Sequence, residues 1–152
     1  VSAVEDAVFF HSIARSSQPD FQVKGNHPLT ENYSVLQPEV RNGPDGKELA
    51  EKNTSLIQKL MQFDAVVIAG QAKSHCVAWT IEDLLTENGL RKSRLAQKIY
   101  LLEDCTSPVV IPGVIDYSDQ ADEAFKRFES AGMHLVRSTV PMEKWPGKIG
   151  NE

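Results

Sequence analysis

The stretch GQAKSHCV, residues 70–77, places Cys76 where an apolar segment gives way to a helical pattern. A thiol in the first turn of a helix meets unpaired backbone N–H groups and the positive end of the helix dipole. Both stabilise a thiolate, and the same N–H groups can hold an oxyanion during acyl transfer. Cys76 is therefore a candidate nucleophile, with a small buried hydrophobic residue as the alternative interpretation.

Lys24 and Asp104 are further candidates because each lies at the end of a segment with the pattern of a strand. Residues 20–25 (DFQVKG) alternate between polar and apolar, and residues 98–105 (KIYLLEDC) contain an apolar run. Sites in open α/β sheets form at the carboxyl ends of the strands. Lys24 could stabilise developing negative charge or transfer a proton there, unless it is a solvated surface lysine. Asp104 is expected to cap or orient a loop.

His75, Glu31 and Tyr33 are candidates for the wall of a substrate pocket. Neighbouring residues of a helix do not face each other, so His75 is poorly placed to act as the base for Cys76. We expect His75 to line the pocket or to face solvent. Glu31 and Tyr33 lie in residues 26–47, a long irregular stretch, and loops of that length in compact domains are often functional.

Composition excludes several classes of function. The chain has 152 residues and a formal net charge of -5, which argues against a nucleic-acid partner. No apolar run approaches the roughly 20 residues that span a bilayer, and no secretory signal pattern is present. With only two cysteines, Cys76 and Cys105, a reducing, cytoplasmic location is the simpler interpretation. The four histidines lack the paired spacing of a metal site.

Helical and strand-like segments alternate along the chain, which predicts a doubly wound parallel α/β sheet. The continuous apolar run DAVVIAG is typical of a strand that is buried on both faces. Helices are predicted at residues 4–15, 47–63, 75–89 (ending at Gly89) and 118–132. Strands are predicted at residues 20–25, 64–70, 98–105 and 133–139. The side chains expected to face the core on the last two helices are Val77, Ile81, Leu84, Leu85, Ala121, Ala124, Phe125 and Phe128.

Two motifs resemble those of the isochorismatase-like cysteine hydrolases, the superfamily that includes nicotinamidases. VVIAGQAKSHCVAWTIEDLLTENG, residues 66–89, resembles the nucleophile segment, which reads G-x-A-x-x-x-C-V after an apolar strand. VKGNHPLTENYSVL, residues 23–36, resembles the catalytic-lysine segment, in which K-G precedes E-x-Y-S. YLLEDCTSPV and AGMHLVRST resemble the later strands. The motifs occur in the family's order, and the resemblance covers nearly the whole chain.

The resemblance implies a three-layer, Rossmann-like α/β fold and a cysteine amidohydrolase that cleaves a small amide through a thioester. Cys76 would be the nucleophile, Lys24 the catalytic lysine, and an aspartate the base that takes the thiol proton. The backbone N–H groups of Ala72 and Cys76 would form the oxyanion hole. A cis peptide bond would join Gln71 to Ala72.

The sequence departs from the family pattern at the aspartate. The family's aspartate lies on a strand well before the lysine segment, and nothing upstream of Lys24 resembles that strand. Asp6 lies in a helical pattern, and Asp20 is too close to Lys24. The Asp-His-His metal site of nicotinamidases is not recognisable, since His11 does not match it. A divalent, zinc-type metal is expected only through ligands upstream of Val1, and this chain is expected to bind no cofactor.

We therefore expect residues 1–152 to be one isochorismatase-like domain with an incomplete sheet, the C-terminal part of a longer hydrolase. The expected partners are a small-molecule amide, the N-terminal remainder as a separate or missing segment, and further copies in a homo-oligomer. Neither nucleic acid nor a membrane is expected as a partner. One alternative is a catalytically silent relative that binds a small molecule or acts as a scaffold. Another is a flavodoxin-like binding domain with a trans peptide before Ala72 and a buried, structural Cys76.

Overall fold

The computed structural model describes residues 2–86 and 95–147, which form an α/β fold around a parallel sheet. The three strands of this sheet lie in the order β1-β2-β5. The elements in chain order are α1 (Ser2–Arg15), α2 (Thr54–Met61), β1 (Val66–Gln71), α3 (Ala78–Thr86), β2 (Ile99–Ser107), β3 (Val110–Ile111), β4 (Ile115–Asp116), α4 (Ser118–Ser130) and β5 (His134–Val136).

Both pairs of neighbouring strands in the sheet are parallel, as the alternation of elements predicts. Val66 of β1 pairs with Ile99 of β2, and Leu101 of β2 pairs with Leu135 of β5. Parallel neighbours require a crossover connection. The connection from β1 to β2 contains α3, and the connection from β2 to β5 contains α4. The predicted class, an α/β fold with a parallel sheet, is confirmed, and the described sheet is a partial one.

The main core lies between the sheet and the helices α2, α3 and α4. Ile81 and Phe128 are completely buried, and Leu101 supplies the facing side chain from the centre of the sheet. Burying a side chain of this size contributes about 1.5–3 kcal/mol relative to leaving it exposed. Every residue predicted to face the core is buried, namely Val77, Ile81, Leu84, Leu85, Ala121, Ala124, Phe125 and Phe128.

Residues 20–25 do not form the predicted strand. They pair with no strand in the described part of the chain, and Phe21 remains 77% exposed. Asp20 instead makes an ion pair with Lys59 of α2 at 2.6 Å. Alternation of polar and apolar residues leads to a strand only where a neighbouring strand completes its backbone hydrogen bonds. Residues 20–25 have no such neighbour in the described part of the chain. The expectation that Lys24 ends a strand is therefore wrong.

The second helix begins seven residues later than its apolar spacing predicts. Asn53 is its N-cap, because the side-chain oxygen accepts the backbone N–H of Leu56 at 3.1 Å. Upstream of this cap, the N–H of Leu49 donates instead to the carbonyl of Arg41 at 2.7 Å. This contact keeps the residues from position 47 to the cap out of the helix.

The strands also differ from their predictions at several points. β1 is not buried on both faces as predicted: its residues alternate between half-buried and exposed, and Val67 is 41% exposed, because one face of the strand is covered less than the other. β2 continues two residues beyond position 105, and β5 is limited to three residues. The hairpin β3–β4 was not predicted. The predicted helix end at Gly89 lies outside the described residues.

α1 forms as its spacing predicts, but none of its residues is buried, and Phe10 is 66% exposed. In the described ranges, no helix combines the length and the apolar character required to cross a membrane.

Candidate active site

Cys76 lies at the junction between β1 and α3, within a single π-helical turn, Lys73–Val77. The N–H of Val77 donates to the carbonyl of Ala72 at 3.1 Å, five residues back, which defines the turn. Such turns are rare and are often found at functional sites. The peptide bond from Gln71 to Ala72 is cis. Cys76 is half-buried, unlike the buried thiol of the structural-cysteine hypothesis.

The last residue of β2 and the residues just after this strand hold the cysteine loop, which we define as residues 71–77, in place. The side chains of Gln71 and Ser107 exchange two hydrogen bonds, at 2.8 and 3.0 Å. The hydroxyl of Ser74 accepts the backbone N–H of Val109 at 3.0 Å. The loop is therefore bonded to the neighbouring strand end at two points on the N-terminal side of Cys76.

Lys24 lies in the exposed segment before the long loop, where its ammonium donates a hydrogen bond to the carbonyl of Tyr33. No hydrogen bond among the described residues joins Lys24 to Cys76. Their connection is indirect, because the Tyr33 ring lies 5.6 Å from the ring of His75, the residue beside the cysteine. The structure thus brings the two motifs together through Tyr33.

Four aromatic rings are connected by ring contacts and include that of His75, the neighbour of Cys76 in the chain. We call them the aromatic group: Trp79, Tyr33, His75 and Tyr117. The ring centres of Tyr33 and Trp79 are 5.8 Å apart. The rings of His75 and Tyr117 meet edge to face, with their centres 4.7 Å apart. Trp79 is 46% exposed, so part of this surface is open to a ligand. Aromatic faces of this kind bind flat rings by stacking.

Trp79 and Tyr117 were not among the predicted site residues. Trp79 stands three positions after Cys76, a spacing that places both on one side of a helix, so the sequence did carry a signal. Tyr117 immediately precedes α4, in the crossover connection that follows β2. Its contact with His75 depends on tertiary structure, so no local sequence pattern predicts it.

Glu31 and Lys24 line different surface clefts, and Cys76 lines neither of them. Glu31 and Tyr33 line a cleft of about 440 Å³, and Lys24 lines another of about 310 Å³. Glu39 of the first cleft accepts the backbone N–H of Tyr33 at 3.3 Å, and partial burial raises the pKa of its carboxyl. These two clefts separate Glu31 and Tyr33 from Lys24.

Asp104 lies within β2 rather than at its end. Its carboxylate accepts the backbone N–H of Ser138 at 2.9 Å and the Ser138 hydroxyl at 2.8 Å. These hydrogen bonds lower the pKa of Asp104. The residue orients the loop after β5, as expected from the sequence.

The donor set of the family's metal site does not fit the residues present. Among residues 2–86 and 95–147, no three His, Cys, Asp or Glu side chains are grouped so that they could hold a metal ion.

These observations define a class of protein: a parallel α/β fold in which a half-exposed cysteine lies between a strand and the helix that follows it. No protein-family profile matches the sequence, and no curated protein matches it. The structure is similar to yeast nicotinamidase, with a TM-score of 0.51 and 17% identity over 86% of this chain and 50% of that one. A nicotinamidase/pyrazinamidase of Acinetobacter baumanii has a TM-score of 0.43 and 21% identity over 72% and 43% of the two chains. The likeness to the yeast enzyme establishes an isochorismatase-like fold, and the chain spans at most half the length of either structure.

Proposed function

We propose that this chain carries the nucleophile of a nicotinamidase-like amidohydrolase that cleaves a small aromatic amide. The observation that carries the proposal is the position of Cys76, half-exposed at the junction of β1 and α3 beside the aromatic group. Cys76 is partly exposed, and the rings of the aromatic group offer stacking surface for a flat acyl group. The resemblance of both sequence motifs to the family supports the same role.

The reaction would proceed by nucleophilic catalysis. The Cys76 thiolate attacks the amide carbonyl carbon, so that a C–S bond forms and the carbonyl electron pair moves to oxygen. Collapse of this intermediate breaks the C–N bond, and the amine leaves as ammonia after taking a proton. Water then attacks the thioester, which releases the carboxylic acid and returns the thiol.

The backbone N–H groups of Ala72 and Cys76 are our candidates for the oxyanion hole. Donors aimed at the developing negative charge contribute about 3–4 kcal/mol each in comparable sites. The bonds from Gln71 to Ser107 and from Ser74 to Val109 would keep this backbone fixed during the reaction. We assign Lys24 to the stabilisation of negative charge at the edge of the site.

The base requires a contribution from outside the described residues. In this part of the chain the Cys76 thiol has no hydrogen-bond or ion-pair partner, so no carboxylate is placed to take its proton. β1 is an edge strand here, and the exposed Val67 shows that one of its faces is only partly covered. We assign the base to an aspartate on a further polypeptide segment that pairs along this open edge. The likeness to yeast nicotinamidase, of which this chain covers 50%, supports this assignment.

The same lack of a carboxylate favours a second candidate function. A relative without a base would bind a flat amide at the aromatic group and leave it intact, acting as a binding or scaffolding protein. Covalent chemistry at Cys76 separates the two candidates.

The test is ammonia release from nicotinamide by the native protein, purified with any polypeptide that accompanies this chain. We expect Cys76→Ala to abolish release and Cys105→Ser, which changes the other cysteine, to retain it. Unchanged release in the Cys76→Ala variant would contradict the proposal. Binding of nicotinamide without release in the native protein would favour the second candidate.

A further inference from the structure

Lys73 is a charged side chain buried within the cysteine loop. The residue is only 7% exposed, although it lies three positions before the candidate nucleophile. Its ammonium forms an ion pair with Asp122 of α4 at 2.6 Å and lies 4.6 Å from the centre of the Phe125 ring. Lysine is almost never fully buried unless it is paired, so this position is not explained by filling space.

The two partners of this ion pair are very unequally exposed. The Lys73 side chain is 8% exposed, whereas the Asp122 side chain is 60% exposed. The lysine thus reaches out of the cysteine loop, across the Phe125 ring, to a carboxylate at the surface of α4. An apolar side chain of similar volume can often replace a buried ion pair without loss of stability. Packing alone therefore does not explain why a lysine paired with Asp122 occupies this position.

The contacts of Lys73 attach the cysteine loop to α4, whereas the hydrogen bonds to Ser107 and Val109 attach it to a different part of the protein. Those two bonds attach the loop to the end of β2, and Lys73 attaches it to α4. Residues three apart in a helical turn lie close together, at about 5–6 Å between Cβ atoms. Anchoring Lys73 therefore restricts rotation of the turn that presents Cys76.

We propose that Lys73 is a positioning residue for Cys76, acting through its ion pair with Asp122 and its contact with Phe125. The proposal rests on the proposed function in taking Cys76 as the nucleophile. Lys73 holds the orientation of the turn, and its positive charge offsets the Asp122 carboxylate on the side of the loop that faces α4.

The test is the pH dependence of Cys76 alkylation by iodoacetamide, in a Cys105→Ser background that leaves one thiol. It needs no turnover, so its outcome is independent of whether the chain hydrolyses an amide. We expect Lys73→Met to raise the alkylation rate at its high-pH plateau by at least about twofold, because the turn that presents Cys76 loses its attachment to α4. Lys73→Arg, which keeps the charge, restores the original plateau.

Asp122→Asn provides a second variant that changes only an exposed side chain, and Glu123→Gln on the same helix is its matched control. Loss of the Asp122 carboxylate frees the turn, so we expect the alkylation rate at its high-pH plateau to rise at least about twofold as the half-buried thiol becomes more accessible. Glu123→Gln leaves the plateau unchanged. The proposal is overturned if Lys73→Met only lowers the melting temperature and leaves the plateau unchanged. An identical plateau in Asp122→Asn and Glu123→Gln also overturns it.

Discussion

The hydroxyl oxygen of Thr80 accepts a hydrogen bond from the backbone N–H of Val35 at 3.2 Å. This bond joins the lysine motif to the helix of the cysteine motif, across 45 positions of the chain. The amide of Gln37 adds a second connection to the Asp83 carboxylate at 2.6 Å. Together they hold the segment after Tyr33 against α3, which brings the Tyr33 ring beside the cysteine loop.

Replacing Thr80 by valine tests this connection. The N–H of Val35 would lose its acceptor in a partly buried position, which costs about 1–3 kcal/mol in the free energy of unfolding. Urea denaturation measures the loss. Thr86→Val on the same helix is the control, because the Thr86 hydroxyl donates to the carbonyl of Asp83 within its own helix. Equal stability of the two variants would show that the Val35 bond does not hold the lysine motif.

Replacing Ser74 by alanine tests the attachment of the cysteine loop to the end of β2. The N–H of Val109 would lose its acceptor, and we expect a loss of about 1–2 kcal/mol together with faster amide hydrogen exchange in the loop. Ser130→Ala is the control, since the Ser130 hydroxyl donates only to a carbonyl of its own helix, that of Lys126. Exchange in the loop as slow as in the unaltered protein would contradict the attachment.

The hydrogen bonds from Ser138 to Asp104 predict a pH-dependent contribution to stability. Because they lower the pKa of Asp104 in the folded state, the stabilisation is present above its unfolded pKa of about 3.9 and is lost as the pH falls through the lower folded value. We expect Asp104→Asn to be less stable at neutral pH, and the difference to shrink in acid. Asp64→Asn, at an exposed position, is the control. A difference in the free energy of unfolding between Asp104→Asn and the unaltered protein that stays constant down to about pH 2 would contradict the prediction.

Replacing Trp79 by alanine tests the aromatic group as a ligand surface. An aromatic contact contributes about 0.5–1.5 kcal/mol, so we expect nicotinamide to bind about two- to tenfold more weakly to the native protein carrying this change. Isothermal titration calorimetry measures the dissociation constant. Phe10→Ala removes an exposed aromatic ring from α1 and serves as the control. The same weakening in both variants would mean that the ligand does not stack on Trp79.

Sequence patterns predicted the elements whose burial follows their own spacing. α4 is the clearest case, because its four inward residues are the buried ones, with Phe128 completely buried. Residues 20–25 show the limit of this reasoning, since alternation cannot say whether a partner strand exists. The late start of α2 was readable, because Asn53 stands three positions before Leu56 in a capping arrangement.

The candidate site was partly predictable for the same reasons. Cys76 stands at a strand-to-helix junction that the apolar run and the helical stripe both indicate. The contact between His75 and Tyr117, and the ion pair of Lys73, depend on how α4 packs against the cysteine loop. That packing is set by the crossover from β2, and no local pattern around position 73 reports it.

The most direct test of the account is to trap the acyl enzyme. The native protein is mixed with nicotinamide and quenched in acid, and the peptides that contain Cys76 and Cys105 are then examined by mass spectrometry. The account predicts a nicotinoyl group on Cys76, none on Cys105, and loss of the adduct when Cys76 is replaced by alanine. Release of ammonia with no adduct on Cys76, undiminished in the Cys76→Ala variant, would contradict it.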